Sequence, residues 1–296
     1  MLQARDLHGI YAPVITPFLP NEELDLDSYR KHVQELLQHN IQGIIVNGTT
    51  GESPTVSWEE VVQLFQATKE VVQESGKQLP LIIGTGTNST VSTVKRTELA
   101  GELGADAVLI VTPYYNRPPH AGVIEHYRRA SQVGVPVIAY EVPHRTGLRL
   151  NADTVKAVLD LDGVIGIKDS TGSLDLLHEL TKGDTKPVLC GDDVLFLSMM
   201  QHGATGGILA SSMIQTEKFV EVYELAKQGD FAQAQTKFDS LVPMIQKLFQ
   251  ESNPAPIKWI LTQQGILSSD TLRLPMSPIS QGLQQELIEL FPALAR

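Results

Sequence analysis

The sequence predicts an α/β protein: a (β/α)8 TIM barrel over residues 1–225 with a C-terminal helical extension over residues 226–296. Three observations carry that prediction. Eight short runs rich in Val, Ile and Leu recur, each running into Gly, Thr, Asn, Asp or Pro. Between them lie longer stretches with apolar residues three and four apart, the spacing of a helix that buries one face. Continuous apolar strands alternating with helices require a parallel sheet covered on its outer side, and eight such units close a barrel. Beyond about residue 212 the periodicity is helical only.

In chain order the runs are "GIYAPVIT", "GIIVNG", "PLIIGTG", "DAVLIVTP", "VPVIAYEVP", "GVIGIKD", "PVLCGDD" and "GGILAS". Helical spacing is clearest at 26–40, 57–76 and 90–104. Ser57 stands three residues before Glu60, as in a capping box, and Gly76 and Gly104 fall where helices should stop. In the extension, "KFVEVYELAKQGDFAQAQTKFDSLVPMIQKLFQ" is helical throughout and a further helix starts near Pro256. An open, doubly wound sheet is the rival architecture. It is disfavoured because "GTGTNS" at 84–89 lacks the third glycine of the dinucleotide fingerprint.

Composition excludes several function classes. A net charge of -11 repels nucleic-acid phosphates and anionic membranes, and no Lys/Arg cluster offsets it locally. The first residues lack the basic, apolar, small-residue order of a signal peptide, and no window approaches the roughly 18 apolar residues of a membrane span. One cysteine, Cys190, permits no internal disulfide and suits the reducing cytoplasm. No metal site is expected: the eight histidines are scattered, "HEL" at 178–180 does not extend to HExxH, and there is no cysteine pair. There is no GxSxG elbow for a nucleophilic serine. A flavin- or phosphate-binding barrel would use glycines such as "GATGG" at 203–207, but would leave the residues described next idle.

Chemistry in a barrel is expected where the C-terminal ends of the strands meet the loops. In the sixth run, "VIGIKDS" at 164–170, alternation puts Val164, Gly166 and Lys168 on one face and Ile165 and Ile167 on the other. The branched pair suits the helix-packing exterior. Lys168 is therefore expected to point inward, with Gly166 below it leaving room for something bound. Burial disfavours an ammonium and frees the amine to attack a carbonyl, which is Schiff-base chemistry. The competing reading is a lysine opening a loop into solvent, with Asp169 capping the next helix.

Other strand ends supply partners. "GIIVNGTTGES" brings Thr49, Thr50 and Gly51, two hydroxyls and a turn whose N–H groups can cradle a small carboxylate; a plain strand-to-helix turn reads the same way. Tyr140 ends the fifth run, one strand from Lys168 at about 4.8 Å spacing, and the loop after it, shaped by Pro143 and Gly147, presents Arg145. Tyr114 and Tyr115 lie in a proline-stiffened loop, where aromatic residues often serve subunit contacts.

Together, "TPF" (16–18), "GTTGES" (48–53), "GTGTN" (84–88), "TPYYNRP" (112–118), "YEVPHRTG" (140–147), "GIKDSTG" (166–172), "CGDD" (190–193) and "ESNPAPIKW" (251–259) span nearly the whole chain. In content and order this set resembles the dihydrodipicolinate synthase and N-acetylneuraminate lyase family of pyruvate-dependent class I aldolases. The resemblance implies that Lys168 forms an imine with pyruvate, which becomes an enamine and attacks an aldehyde, with no added cofactor. It implies that Thr49 and Thr50 hold the pyruvate carboxylate, and that Gly191 and Ile208 line the pyruvate pocket. Tyr140 would move protons, linked through Thr49 to Tyr115 donated across a subunit interface, with Tyr114 beside it. A homotetramer built as a dimer of dimers is the assembly it implies.

Arg145 resembles the arginine with which the synthases bind the carboxylate of aspartate semialdehyde. The pattern is broken by Glu141, where an asparagine is usual, and by His144 in place of a small residue. A carboxylate near the mouth would alter acceptor electrostatics. This keeps open a related aldolase acting on a hydroxylated 2-oxo acid of the 2-keto-3-deoxy sugar acid, 4-hydroxy-2-oxoglutarate or N-acetylneuraminate type. Where lysine-inhibited members of the family carry a glutamate and histidines, the corresponding positions here look like Ser92, Trp58 and Val61, which implies insensitivity to lysine.

Overall fold

A computed structural model describes residues 1–292. Strands form in all eight predicted runs: β1 Gly9–Pro13, β2 Gly43–Val46, β3 Leu81–Gly84, β4 Ala107–Val111, β5 Val137–Glu141, β6 Val164–Asp169, β7 Val188–Cys190 and β8 Gly206–Ile208. They are joined in sequence order into a closed barrel. Parallel pairing of β8 with β1, Gly206 beside Gly9 and Ile208 beside Tyr11, makes the closure. Glycine is required at that seam: a Cβ on Gly206 would stand 2.1 Å from Gly9 O.

The chain gathers into two compact units. The first holds Met1–Tyr11, Gln42–Ile45 and Pro80–Leu209, and with them the barrel. Its core draws on every strand: Tyr11, Ile45, Ile82, Leu109, Ile138, Tyr140, Leu189 and Ile208 form one cluster, with Ile165 of β6 packed against it. Side chains contributed by all strands can meet only in the bore, so these are the inward positions. Leu2 and Leu7, from the segment before β1, belong to the same cluster. Burying a leucine contributes about 1.5–3 kcal/mol, so this N-terminal segment is part of the core.

β6 departs from simple alternation. Val137 pairs with Val164, but the next residue, Ile138, pairs with Gly166, so Ile165 is an extra residue in a bulge. The bulge turns Ile165 toward the bore cluster instead of the helical layer. Beyond it the expected phase holds: Gly166 and Lys168 pair with the inward Ile138 and Tyr140, and Ile167 lies among Tyr127, Val155 and Val158 of the helical layer. The space at Gly166 is not for a ligand. A Cβ there would meet Leu7 Cδ2 at 2.6 Å and Pro187 O at 2.7 Å, so the protein's own N-terminal segment and the backbone entering β7 fill it.

The second unit holds Ala12–Ile41, Val46–Leu79 and the chain from Ala210 onward. Its helix Trp58–Glu74 begins in the predicted capping box, with Ser57 Oγ accepting from Glu60 N at 3.2 Å and Ser57 N donating to Glu60 Oε2 at 2.8 Å. The helix Leu26–Leu36 is joined to it by the buried pair Tyr29 Oη and Thr68 Oγ1 at 2.7 Å. The helical tail breaks into Thr216–Lys227, Phe231–Asp239 and Val242–Leu248, then Ala255–Gln263 and Gln281–Leu290. The first break is local chemistry: Gly229 takes φ +80 and Asp230 caps Gln233 N. Among the described residues no helix is long and apolar enough to cross a membrane, and no group of three or more His, Cys, Asp or Glu could hold a metal ion.

Candidate active site

Lys168 lies one residue from the C-terminal end of β6, opposite Tyr140 on β5 and Leu189 on β7. It is only 7% exposed. Its Nζ sits 4.4 Å from the centroid of the Tyr140 ring, close enough for the ring's negative face to attract an ammonium. Among the described residues Lys168 enters no ion pair. Gly191, after β7, makes space for it: a Cβ there would stand 2.5 Å from Lys168 Cε and 2.2 Å from Ser170 Oγ. Ser170 Oγ is buried and has no hydrogen-bond partner among the described residues. Ile208 is buried in the bore cluster at the end of β8.

The outward neighbours of this site are acidic. Glu141 and Asp169 pair across β5 and β6, and burial raises both carboxyls above the ordinary range. Glu141 accepts from Thr112 Oγ1 at 2.7 Å and from Leu150 N at 2.8 Å. It follows the inward Tyr140 in the strand and therefore points away from the bore. The carboxylate expected at the mouth is thus absent from it and is engaged on the outer side of the barrel. Asp169 Oδ1 accepts from Thr171 N at 2.9 Å, while Oδ2 is buried with no hydrogen-bond partner among the described residues.

Arg145 and His144 are exposed on the short helix Pro143–Thr146, closed by Gly147 at φ +72. Arg145 enters no ion pair among the described residues, so its guanidinium has no protein carboxylate to hold it. Burial and the Arg145 charge hold His144 below its usual range, against the pull of Asp192, whose carboxyl burial raises. Tyr114 is half-buried and Tyr115 is 89% exposed, with a left-handed backbone at φ +72 and its N–H donating to Thr146 O at 3.3 Å.

In the second unit, Thr49–Gly51 form one turn of 3-10 helix after β2. Thr50 is buried and Thr49 half-buried. Asn253 Nδ2 donates to Thr50 Oγ1 at 3.1 Å, and Thr16 Oγ1 donates to Gly51 O at 2.7 Å. Glu52 ends the turn at φ +55, a conformation unfavourable for a residue with a side chain unless its surroundings impose it. They do: the Glu52 carboxylate is paired with the buried Lys258 and accepts from Arg273 N at 3.3 Å. Lys258 also donates to Thr271 O at 2.8 Å and lies 4.2 Å from the Phe18 ring centroid, whereas Arg273 pairs with Glu60 and lies 4.1 Å from that same centroid.

Residues 6–293 match the model of the dihydrodipicolinate synthetase family. The chain belongs to the dihydrodipicolinate synthetase family. It is 36% identical over 284 residues to 4-hydroxy-tetrahydrodipicolinate synthase 2 of Clostridium acetobutylicum, covering 95% of this chain and 98% of the relative. Among solved structures, the chloride-inhibited dihydrodipicolinate synthase of Acinetobacter baumannii complexed with pyruvate is 34% identical, with a TM-score of 0.91 over 98% of this chain and 99% of that one. A monomeric dihydrodipicolinate synthase variant is 33% identical, with a TM-score of 0.93 over 99% and 98%. Family membership accounts for the segments that carried the resemblance, and the barrel accounts for bringing Lys168, Tyr140 and Gly191 together. Sequence reasoning assigned no role to Ser170, Asn253, Glu52, Lys258 or Arg273. Asn253 and Lys258 lie inside "ESNPAPIKW", but nothing local names partners 200 positions away.

Proposed function

We propose that this protein condenses pyruvate with L-aspartate 4-semialdehyde to give 4-hydroxy-tetrahydrodipicolinate, the committed chemistry of diaminopimelate and lysine biosynthesis. The observation that carries the reading is Lys168: a buried lysine at a barrel strand end, beside Tyr140 and with no ion pair among the described residues. In this mechanism the Lys168 amine attacks the keto carbon of pyruvate and water leaves, giving the imine. Loss of a methyl proton gives the enamine, whose carbon attacks the aldehyde while the aldehyde oxygen gains a proton. The acceptor's amine then attacks the re-formed imine carbon, closing the ring as the C–N bond to Lys168 breaks and the free amine leaves with a proton. Tyr140, relayed through Thr49 to a Tyr115 from another subunit, moves these protons, with Tyr114 beside it. Thr50 and the turn N–H groups hold the pyruvate carboxylate, Gly191 and Ile208 bound the pocket, and Arg145 holds the acceptor's carboxylate as a fork-shaped donor.

The imine supplies the electron sink, so the scheme calls for no added cofactor. A homotetramer arranged as two dimers fits the exposure of Tyr115, and a cytoplasmic setting fits Cys190, whose buried thiol burial holds well above its usual range. The structural departure that favoured a hydroxylated 2-oxo acid, Glu141, points away from the bore. A panel of aldehydes incubated with pyruvate tests the acceptor. Rapid product formation with aspartate semialdehyde and neglect of glyceraldehyde is expected; the reverse preference would assign a sugar-acid aldolase. Millimolar lysine should leave the rate unchanged, because Val61 is buried in the helix Trp58–Glu74 and no carboxylate occupies any of the three effector positions.

A further inference from the structure

The chemistry at Lys168 makes no use of Glu141, yet this side chain is fully buried and both its oxygens are engaged. Thr112, which donates to Oε2, is the residue after β4; Leu150, whose N–H donates to Oε1, ends the loop that starts at Val142. One carboxyl group therefore ties a neighbouring strand end to the far end of the loop and closes 141–150 into a ring. Arg145 lies within that ring.

The rest of the loop is braced from the same backbone. Thr146 Oγ1 donates to Val142 O at 3.3 Å and to Leu148 O at 3.0 Å, and Arg149 Nη2 donates to Thr171 O at 2.9 Å. Arg145 has no ion pair of its own among the described residues, so the place of its guanidinium is set by the backbone beneath it. Without Glu141, Leu150 N loses its acceptor in a buried setting, and the ring can reopen.

We infer that Glu141 is a positioning residue for acceptor recognition: by closing the 141–150 loop from outside the barrel, it fixes Arg145 against the carboxylate of the aldehyde acceptor. The inference rests on the acceptor reading proposed above. It separates the two substrates, because pyruvate is held at Lys168 and the loop is not. A shift of about 1 Å in a positioning group can cost on the order of 100-fold in rate, and here the penalty falls on the acceptor.

The test measures kinetics with each substrate varied in turn, together with borohydride-trapped pyruvyl enzyme, for Glu141→Ala, Glu141→Gln, Thr112→Val and Arg145→Ala. Glu141→Ala should raise KM for aspartate semialdehyde about tenfold or more, with KM for pyruvate and trapped adduct within about twofold of wild type. Glu141→Gln should recover acceptor KM to within about threefold, since an amide can accept from Leu150 N and donate to Thr112 Oγ1. Thr112→Val, which keeps the Leu150 bond, should move acceptor KM in the same direction by less, and decides the matter if Glu141→Ala does not fold. Equal changes in both KM values, a Gln variant as impaired as Ala, or an unchanged acceptor KM in folded Glu141→Ala or Thr112→Val would overturn the inference. If Arg145→Ala raises acceptor KM and Glu141→Ala does not, only the inference fails. If Arg145→Ala leaves it unchanged, the acceptor reading fails and takes the inference with it.

Discussion

Lys168 on β6 and Lys258 on the helix Ala255–Gln263 are both buried lysines lying against an aromatic ring, yet their surroundings treat them differently. Lys258 is 0% exposed, paired with Glu52 and donating to Thr271 O. Burial pulls it down to about 8, and Glu52 opposes that fall. Lys168 has the ring of Tyr140 and, among the described residues, no carboxylate paired with it. Its stem has room only because residue 191 is glycine. The contrast teaches that burial does not mark a nucleophile. A buried lysine with its partners assigned is holding structure; one with no ion pair among the described residues, at a strand end, is the candidate for meeting a substrate.

The largest expected effect separates the two directly. Lys168→Ala should reduce turnover on every acceptor on the order of 10⁴-fold or more, yet change unfolding free energy by no more than about 1 kcal/mol. Urea unfolding and product assays on the same preparation check both halves, and a large stability loss would erase the distinction. Lys258→Met should do the opposite. It leaves Glu52 buried without its counter-ion at a cost of about 3–5 kcal/mol, and adding Glu52→Gln should return most of that loss. Equal stabilities of the single and double variants would show that the pair is not coupled.

A smaller effect comes from buried histidines. His32 and His126 are buried, and burial holds each down to about 4 from an ordinary value of 6.5. The folded state therefore binds fewer protons than the unfolded one between these values. Stability is complete above about pH 6.5 and falls as pH drops toward 4, by up to about 3 kcal/mol for each group. The melting temperature should fall between about pH 7 and about pH 5, and His32→Gln should shallow that slope. An unchanged slope would mean that other groups carry it.

Much of the fold was legible because parallel strands buried on both sides are written as uninterrupted apolar runs, and all eight runs became strands. The bulge at Ile165 was not, since an extra residue leaves no mark in composition. Gly166 was misread for a different reason: the atom that fills its space, Leu7 Cδ2, arrives from the far end of the chain. Glu141 could have been placed correctly, because the alternation that turns Tyr140 inward turns its neighbour outward. The place of Lys168 was legible, because it stands at the end of an apolar strand and alternation turns it inward. The support of the Thr49–Gly51 turn by Asn253, Lys258 and Arg273 rests on contacts between distant segments, which no local pattern records.

The most direct test is mass spectrometry of the protein reduced with borohydride in the presence of pyruvate. One pyruvyl adduct is expected, on the peptide containing Lys168, with Lys258 unmodified. An adduct on Lys258, or none on Lys168 in folded protein, would contradict Lys168 as the nucleophile.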